Sequence, residues 1–341
     1  MKIIPINNYK QPYQSTSFKS APQLSAILSS SPTKTSVAPL SQAIFKQYLD
    51  ALKLPKINFT FEELKKLFAI ENNEEFLEAG FNYLLKKLNI SDKIAPQLTY
   101  ADVNSDWSFG YDRCSNEVLV NTLYDLPSKE QILVLLRHEL QHFIQNIDLY
   151  RQEKIKKSHL NHLVEIYFKE YEHQLQETLK KSPEEWNDDK KRTKKLSTYK
   201  RYLDEGNLVA FNKKLLSEKE KIRKSLKNFQ RDIIKTLGTT STGTRKAKNN
   251  ERIHQAYVNY GTNKEMNWGK YLTNPSEYDA TLAEYLLESE LNGTCFIKFL
   301  KDKYNKFLSS KSPDNVEIQT ELAEILAENP NTDFVLPNCF E

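Results

Sequence analysis

The 341 residues of this chain suffice for one or two domains with a proper core, and a composition with only 8 glycines predicts a mainly helical protein. A net charge of +4 is close to neutral for this length, so total charge does not select a partner class. The 3 cysteines lack C-x-x-C spacing, which argues against a disulfide framework, and no apolar run is long enough to predict a transmembrane segment.

The first 40 residues are rich in serine, proline, threonine and glutamine, which predicts a disordered leader over residues 1–40. Its apolar start, Met1–Ile6, is too short for a secretory signal peptide. Together with the cysteine pattern this predicts a cytoplasmic location, while export by a route without such a signal stays open.

Residues 41–150 are predicted to form helices, a small β-sheet and a further long helix. Thr60 has the spacing of a capping box to a glutamate three residues later, which marks a helix start. A β-hairpin is expected within residues 97–121, with one strand at Trp107–Tyr111 and a second that ends at Asn121. Before the hairpin, helices are expected over residues 41–54, 60–71 and 73–88.

The long helix, predicted over residues 129–150, carries the most informative motif of the chain. His138-Glu139-Leu140-Gln141-His142 reads H-E-x-x-H. Two histidines four residues apart on a helix are turned by only about 40°, so both imidazoles can bind one ion. Neutral imidazole suits Zn²⁺, and the glutamate beside the first histidine can accept a proton from a metal-activated water.

A β-hairpin followed by a helix with H-E-x-x-H resembles the zincin metallopeptidase superfamily. The resemblance implies an α+β, mainly helical fold with a zincin-like core, made of a small sheet and the active-site helix, and here interrupted by a long helical insertion. It also implies that a sheet edge beside the helix binds an extended peptide by main-chain pairing. Either Glu117–Asn121 or Trp107–Tyr111 is expected to be that edge.

A catalytic zinc takes three protein ligands, and Glu277 is the predicted third. The spacing of Glu277, Ala280 and Ala283 on a new helix resembles that of glutamate-type zincins, in which a glutamate ligand is followed by small residues. Glu277 also lies three residues after Asn274, so a purely structural capping role is the alternative.

Other residues compete for roles at this site. Asp148 follows His142 by six residues, but without a glycine at position 145 it lies about 240° round the helix and points elsewhere. Glu284 is the next candidate for the third ligand. In many relatives an Asp or Asn four residues after the glutamate ligand supports a metal-binding histidine. That position is Thr281 here, so Asp279 is considered instead. Candidates for oxyanion stabilisation are His254, Tyr260, Tyr271 and Tyr278.

Residues 151–250 are predicted to be a charged helical insertion and linker. Between Arg151 and Lys235 there are 23 lysines and arginines against 14 acidic residues. A solvated helical surface explains this excess, a basic surface for an acidic partner is the alternative, and no nucleic-acid motif is present. His159 and His162 are likewise interpreted as a hydrated surface rather than a second metal site. Helices are expected over residues 157–180, 198–204 and 213–237, followed by a flexible linker over 238–250.

Residues 251–341 are then expected to supply the third-ligand helix and C-terminal helices that complete the core. The resulting prediction is a zinc metallopeptidase that hydrolyses a peptide or protein substrate, with His138, His142 and Glu277 binding Zn²⁺ and Glu139 as general base. The alternatives are a non-catalytic, zinc-binding, zincin-like scaffold or sensor, and a helical interaction protein with a basic insertion. The oligomeric state is not predicted.

Overall fold

The described part of the protein is mainly helical, with a small three-stranded mixed sheet, which confirms the mainly helical α+β prediction at that level. Most of the predicted leader and linker lies outside the described residues, as do Cys114 and Cys339. The computed structural model describes residues 39–101, 108–113, 115–151, 157–183, 190–239 and 268–336.

Three short helices precede the sheet: α1 (Pro39–Ala51), α2 (Phe61–Phe68) and α3 (Asn73–Lys87). The predicted capping box at Thr60 is confirmed, because its side chain accepts from the Glu63 backbone and its own N–H donates to the Glu63 carboxylate. Helix α2 ends earlier than predicted because Asn72 has extended backbone angles and caps α3, accepting from Glu74 and Glu75.

The sheet has the strand order β1-β3-β2, with β1 at Gln97–Ala101, β2 at Phe109–Asp112 and β3 at Glu117–Asn121. Strands β2 and β3 form the predicted hairpin, and its turn places Asn116 at a φ of 57°, which asparagine tolerates. The parallel pairing of β1 with β3 was not predicted. Since β3 lies in the centre, Glu117–Asn121 is not a sheet edge, and that alternative for the substrate edge was wrong.

Helix α4 (Lys129–Tyr150) has the predicted bounds, and the capping box of Ser128 with Gln131 is formed. Its apolar face packs on α3 and the sheet. The two helices are so close at Gly80 of α3 that a Cβ added there would lie 2.9 Å from Cδ2 of Leu133. The opposite face is also covered, by a C-terminal helix. Helix α4 is therefore buried on both sides, and its polar motif lies inside the protein.

The chain between α4 and the C-terminal helices forms α5 (Lys157–Lys180), α6 (Lys190–Asp204) and α7 (Leu208–Leu237). Helix α7 begins earlier than predicted because Asn207 caps it, accepting from the Ala210 N–H at 3.0 Å. These helices share an apolar core that continues onto α4 through three of its residues, Phe143, Ile147 and Tyr150. The predicted insertion is thus a packed helical layer, anchored to the second half of α4.

Four helices complete the described chain: α8 (Trp268–Leu272), α9 (Pro275–Leu291), α10 (Phe296–Ser309) and α11 (Pro313–Glu328). Helix α9 packs along α4, and α1 and α10 cover its outer side with a second apolar core. Among the described helices, none combines the length and apolar character that crossing a bilayer requires. The packing of α9 on α4 is the contact that builds the candidate site.

Candidate metal centre

Helix α4 places the two motif histidines one turn apart with their rings facing the same point. The Nε2 atoms of His138 and His142 are 3.2 Å apart, and the ring planes are inclined at 78°. Both side chains are buried, with 8% and 9% of their surface exposed. The helical spacing alone explains this pair, as the sequence predicted.

Helix α9 brings Glu277 to the same point, although Glu277 follows His142 by 135 positions. Its Oε2 lies 3.4 Å from Nε2 of His138 and 3.4 Å from Nε2 of His142. Asn274 caps α9 by accepting from Ser276, but the Glu277 carboxylate takes no part in that cap. The capping interpretation of Glu277 was therefore wrong, and these three residues form a group that can hold a metal ion.

Glu284 supports His138 from behind. Its Oε2 accepts from Nδ1 of His138 at 2.9 Å, and it lies two helical turns after Glu277 on the same face of α9. Glu284 is not in the group of candidate ligands, and it takes the supporting role that had been considered for Asp279. The seven-residue spacing from Glu277 places both glutamates on one face of the helix, but the spacing does not identify Glu284 as the partner of His138.

Gln145 supports His142. In the sequence, position 145 was noted only because it is not a glycine. The Oε1 of Gln145 lies 3.1 Å from Nδ1 of His142, and its Nε2 donates to the carbonyl of Ser276 at 2.9 Å. Asp148 does not join the group, as expected, and lies 3.7 Å from Arg151. Both Nδ1 atoms of the pair are thus hydrogen-bonded.

Three acceptor atoms converge at this centre. When each Nδ1 carries a proton, each neutral ring presents the lone pair of Nε2 to the same place as the Glu277 carboxylate. Burial opposes protonation of His138, but its hydrogen bonds to Glu277 and Glu284 raise its pKa well above the usual value. The arrangement therefore favours positive charge between the three atoms, which is what a metal ion supplies.

The carboxylates at the centre outnumber the cations available to balance them. Burial raises the pKa of Glu277, but attraction to His142 and hydrogen bonds with the two histidines lower it well below normal. Burial also raises the pKa of Glu139, and the nearby imidazoles only partly offset this. In the described residues no lysine or arginine forms an ion pair with Glu139, Glu277 or Glu284.

Glu139 differs from the other two glutamates because no hydrogen bond holds its carboxylate among the described residues. Glu139 is buried, with 7% of its surface exposed. Its pKa is lowered by the charges of both histidines and raised by the charge of Glu277. A carboxyl group with a raised pKa and no fixed partner can accept a proton and release it again. This is the chemistry expected of the second position of H-E-x-x-H.

The two described candidates for oxyanion stabilisation, Tyr271 and Tyr278, are not brought to the centre. The Tyr278 hydroxyl donates to Asp50 of α1 at 3.1 Å, so it belongs to the C-terminal packing. Tyr271 packs against the C-terminal core, while His254 and Tyr260 lie outside the described residues. His162 is exposed, which agrees with a hydrated surface, and the side chain of its neighbour His159 is not described.

Strand β2 lies at an edge of the described sheet and packs against α4 beside the motif. The Tyr111 ring packs edge-on against the Phe143 ring, with 5.9 Å between the ring centroids. Asn146 donates to the Tyr111 hydroxyl at 3.1 Å. Phe143 and Asn146 follow His142 by one and four residues. The second alternative for the substrate edge, Trp107–Tyr111, overlaps β2 from Phe109 onward, while Trp107 lies outside the described residues. Its role in substrate binding stays a prediction.

Neither a protein-family model, nor a curated protein, nor a solved structure matches this chain. The resemblance to zincins thus depends on the motif, its hairpin and the convergence of His138, His142 and Glu277.

Proposed function

We propose that this protein is a zinc-dependent metallopeptidase, in which His138, His142 and Glu277 bind Zn²⁺ and Glu139 is the general base. The spacing of the three ligand atoms is the observation that carries the proposal. Ligands bonded to zinc at about 2.0–2.1 Å in tetrahedral geometry are about 3.3 Å from one another. The observed separations are 3.2, 3.4 and 3.4 Å.

The donor set favours a catalytic rather than a structural ion. Structural zinc sites have four protein ligands, often cysteines, whereas catalytic sites have three and keep one position for water or substrate. Two imidazoles and one carboxylate also suit Fe²⁺. A buried carboxyl group next to the first ligand favours hydrolysis, because hydrolysis needs a group that takes a proton from water and gives it to the leaving group.

The chemistry divides between the ion and the protein side chains. Bound Zn²⁺ supplies a Lewis acid that activates water and polarises the scissile carbonyl. Glu139 accepts a proton from the attacking water and donates it to the leaving amine nitrogen. Its raised pKa suits both steps, because the group must hold the proton and then release it. Strand β2 binds the substrate in extended form by strand addition.

The proposal is tested with the purified protein, an unfolded protein substrate and a zinc assay. We expect about one zinc per chain and cleavage that a strong chelator abolishes and added zinc restores. Glu139→Gln should retain zinc and lose at least about 100-fold in cleavage rate, the usual contribution of general acid–base catalysis. Glu130→Gln is the matched control, because Glu130 lies exposed on the same helix.

Three results would separate the alternatives. Cleavage that is unaffected by the chelator would refute the metallopeptidase. Stoichiometric zinc without cleavage of any substrate would favour the non-catalytic scaffold or sensor. A chain that binds no metal would leave the helical interaction protein as the remaining interpretation.

A further inference from the structure

Gln145 joins the two helices that build the centre. It is buried, with 6% of its surface exposed, and both ends of its amide are used. The oxygen faces Nδ1 of His142 on its own helix at 3.1 Å, and the nitrogen donates to the Ser276 carbonyl of α9 at 2.9 Å. One side chain thus connects a predicted ligand to the residue that precedes another ligand, Glu277.

The orientation of this amide determines the tautomer of His142. A backbone carbonyl only accepts hydrogen bonds, so the NH₂ group of Gln145 must face Ser276. Its oxygen must then face His142, and an oxygen acceptor requires a proton on Nδ1. In the neutral ring this leaves the lone pair on Nε2, where it faces His138 and Glu277.

The same connection extends to the third ligand. Ser276 lies at the start of α9, and its hydroxyl is 3.2 Å from Oε1 of Glu277. The other carboxylate oxygen, Oε2, is the one beside both histidines. Gln145 and Ser276 therefore fix an imidazole and a carboxylate relative to each other.

A second glutamine on the same helix shows that burial alone does not produce this arrangement. Gln141 is as buried as Gln145, with 4% of its surface exposed, but its oxygen accepts from the Arg137 guanidinium at 3.0 Å. It makes no hydrogen bond to an imidazole among the described residues. The two glutamines therefore provide a matched comparison.

We propose that Gln145 is a positioning residue that holds His142 in its metal-binding tautomer, with its amide oriented by Ser276. The inference rests on the proposed metal site. His138 has a charged acceptor behind it, Glu284, whereas His142 has a neutral one. The tautomer of His142 consequently depends on which way the Gln145 amide faces, and the α9 carbonyl sets that orientation.

The test uses the full-length protein freed of metal and titrated with Co²⁺, whose visible absorption reports the number and geometry of its ligands. Gln145→Leu should weaken Co²⁺ binding about 10- to 100-fold, the range for residues that orient a metal ligand, and change the spectrum. Gln145→Glu keeps an acceptor for Nδ1–H in either orientation and should recover most of the affinity. Gln141→Leu should leave affinity and spectrum unchanged.

The melting temperature of each metal-free variant separates positioning from general destabilisation. Gln145→Leu and Gln141→Leu both remove a buried hydrogen bond, so both should melt earlier, but only the first should lose affinity. The inference fails if Gln145→Leu binds Co²⁺ like the wild type, or if Gln145→Glu is as weak as Gln145→Leu. A wild-type chain that binds Co²⁺ but cleaves no peptide would refute the peptidase and leave this inference standing.

Discussion

The helical layer and the α4–α9 contact both bury glutamate side chains, and they balance the charge in different ways. In the helical layer, Glu218 of α7 has no exposed surface, and its two oxygens accept from Lys195 at 2.7 Å and Lys221 at 2.8 Å. At the α4–α9 contact, Glu277 and Glu284 face imidazoles, and among the described residues neither pairs with a lysine or arginine.

The difference separates a structural ion cluster from a binding site. Lysines supply the positive charge beside Glu218 permanently, so that cluster is complete within the chain. At the other contact two imidazoles lie beside three buried carboxylates, Glu139, Glu277 and Glu284, and burying unbalanced carboxylates is costly. A cation from outside the chain would therefore stabilise the contact between α4 and α9, whereas the layer of α5–α7 already has its cations.

The largest expected effect follows from removing the carboxylate that α9 contributes to the centre. Glu277→Ala should weaken Zn²⁺ binding by more than about 100-fold, above the range for residues that only orient a ligand. Isothermal titration against a chelator measures this change. Glu288→Ala is the control, because Glu288 lies on the same helix but pairs with Lys303 at 3.1 Å. Equal affinity in the two variants would contradict the assignment of Glu277.

In the helical layer the corresponding substitution should affect stability and not metal binding. Glu218→Ala leaves two lysines without their partner and should lower the free energy of unfolding by roughly 2–3 kcal/mol, less than for a fully enclosed pair because both lysines reach solvent. Urea unfolding measures the change, and Zn²⁺ affinity should remain that of the wild type. A loss of Zn²⁺ affinity here would show that the two regions are coupled.

A smaller effect on Zn²⁺ affinity is expected from substituting Glu284, which accepts from Nδ1 of His138. Glu284→Leu removes the acceptor for Nδ1 and should weaken Zn²⁺ binding about 10- to 100-fold. Glu284→Gln keeps an acceptor and should lose less. Should the leucine variant retain full affinity, the hydrogen bond to Glu284 would have no part in holding the imidazole.

The smallest effect is a pH dependence of the helical layer. Burial raises the pKa of Glu218, but hydrogen bonds from Lys195 and Lys221 lower it below its usual value. A carboxyl group with a lowered pKa in the folded state stabilises the protein above its unfolded pKa, and this stabilisation is lost as pH falls through the folded value.

Urea unfolding of the metal-free protein between pH 7 and pH 3 tests this dependence. Glu218→Gln should flatten the acid side of the stability curve. Glu220→Gln should not, because Glu220 pairs with Arg223 at the surface. If both variants follow the wild type, the lysines around Glu218 do not stabilise its charged form. The pKa of Lys195 is also lowered, mainly by burial, but that shift acts at alkaline pH.

Much of the local structure could be predicted because it depends on neighbours in the chain. The bounds of α4 follow from the cap at Ser128 and an unbroken helical pattern, and the hairpin follows from alternating valines. The pairing of His138 with His142 needs only the helical repeat. The start of α6 was missed because its lysine-rich sequence has no clear apolar period, and the start of α7 was missed because the cap at Asn207 was not recognised.

What the sequence by itself determined is the motif, the helix that carries it and a resemblance that selected Glu277. The tertiary structure alone decided the burial of the motif, the parallel pairing of β1 with β3, the partner of His138 Nδ1 and the orientation of the Gln145 amide. The reason is physical: Glu284 reaches His138, and the Ser276 carbonyl reaches Gln145, only through the packing of α9 on α4. Contacts between segments more than 130 positions apart leave no periodic trace in either segment.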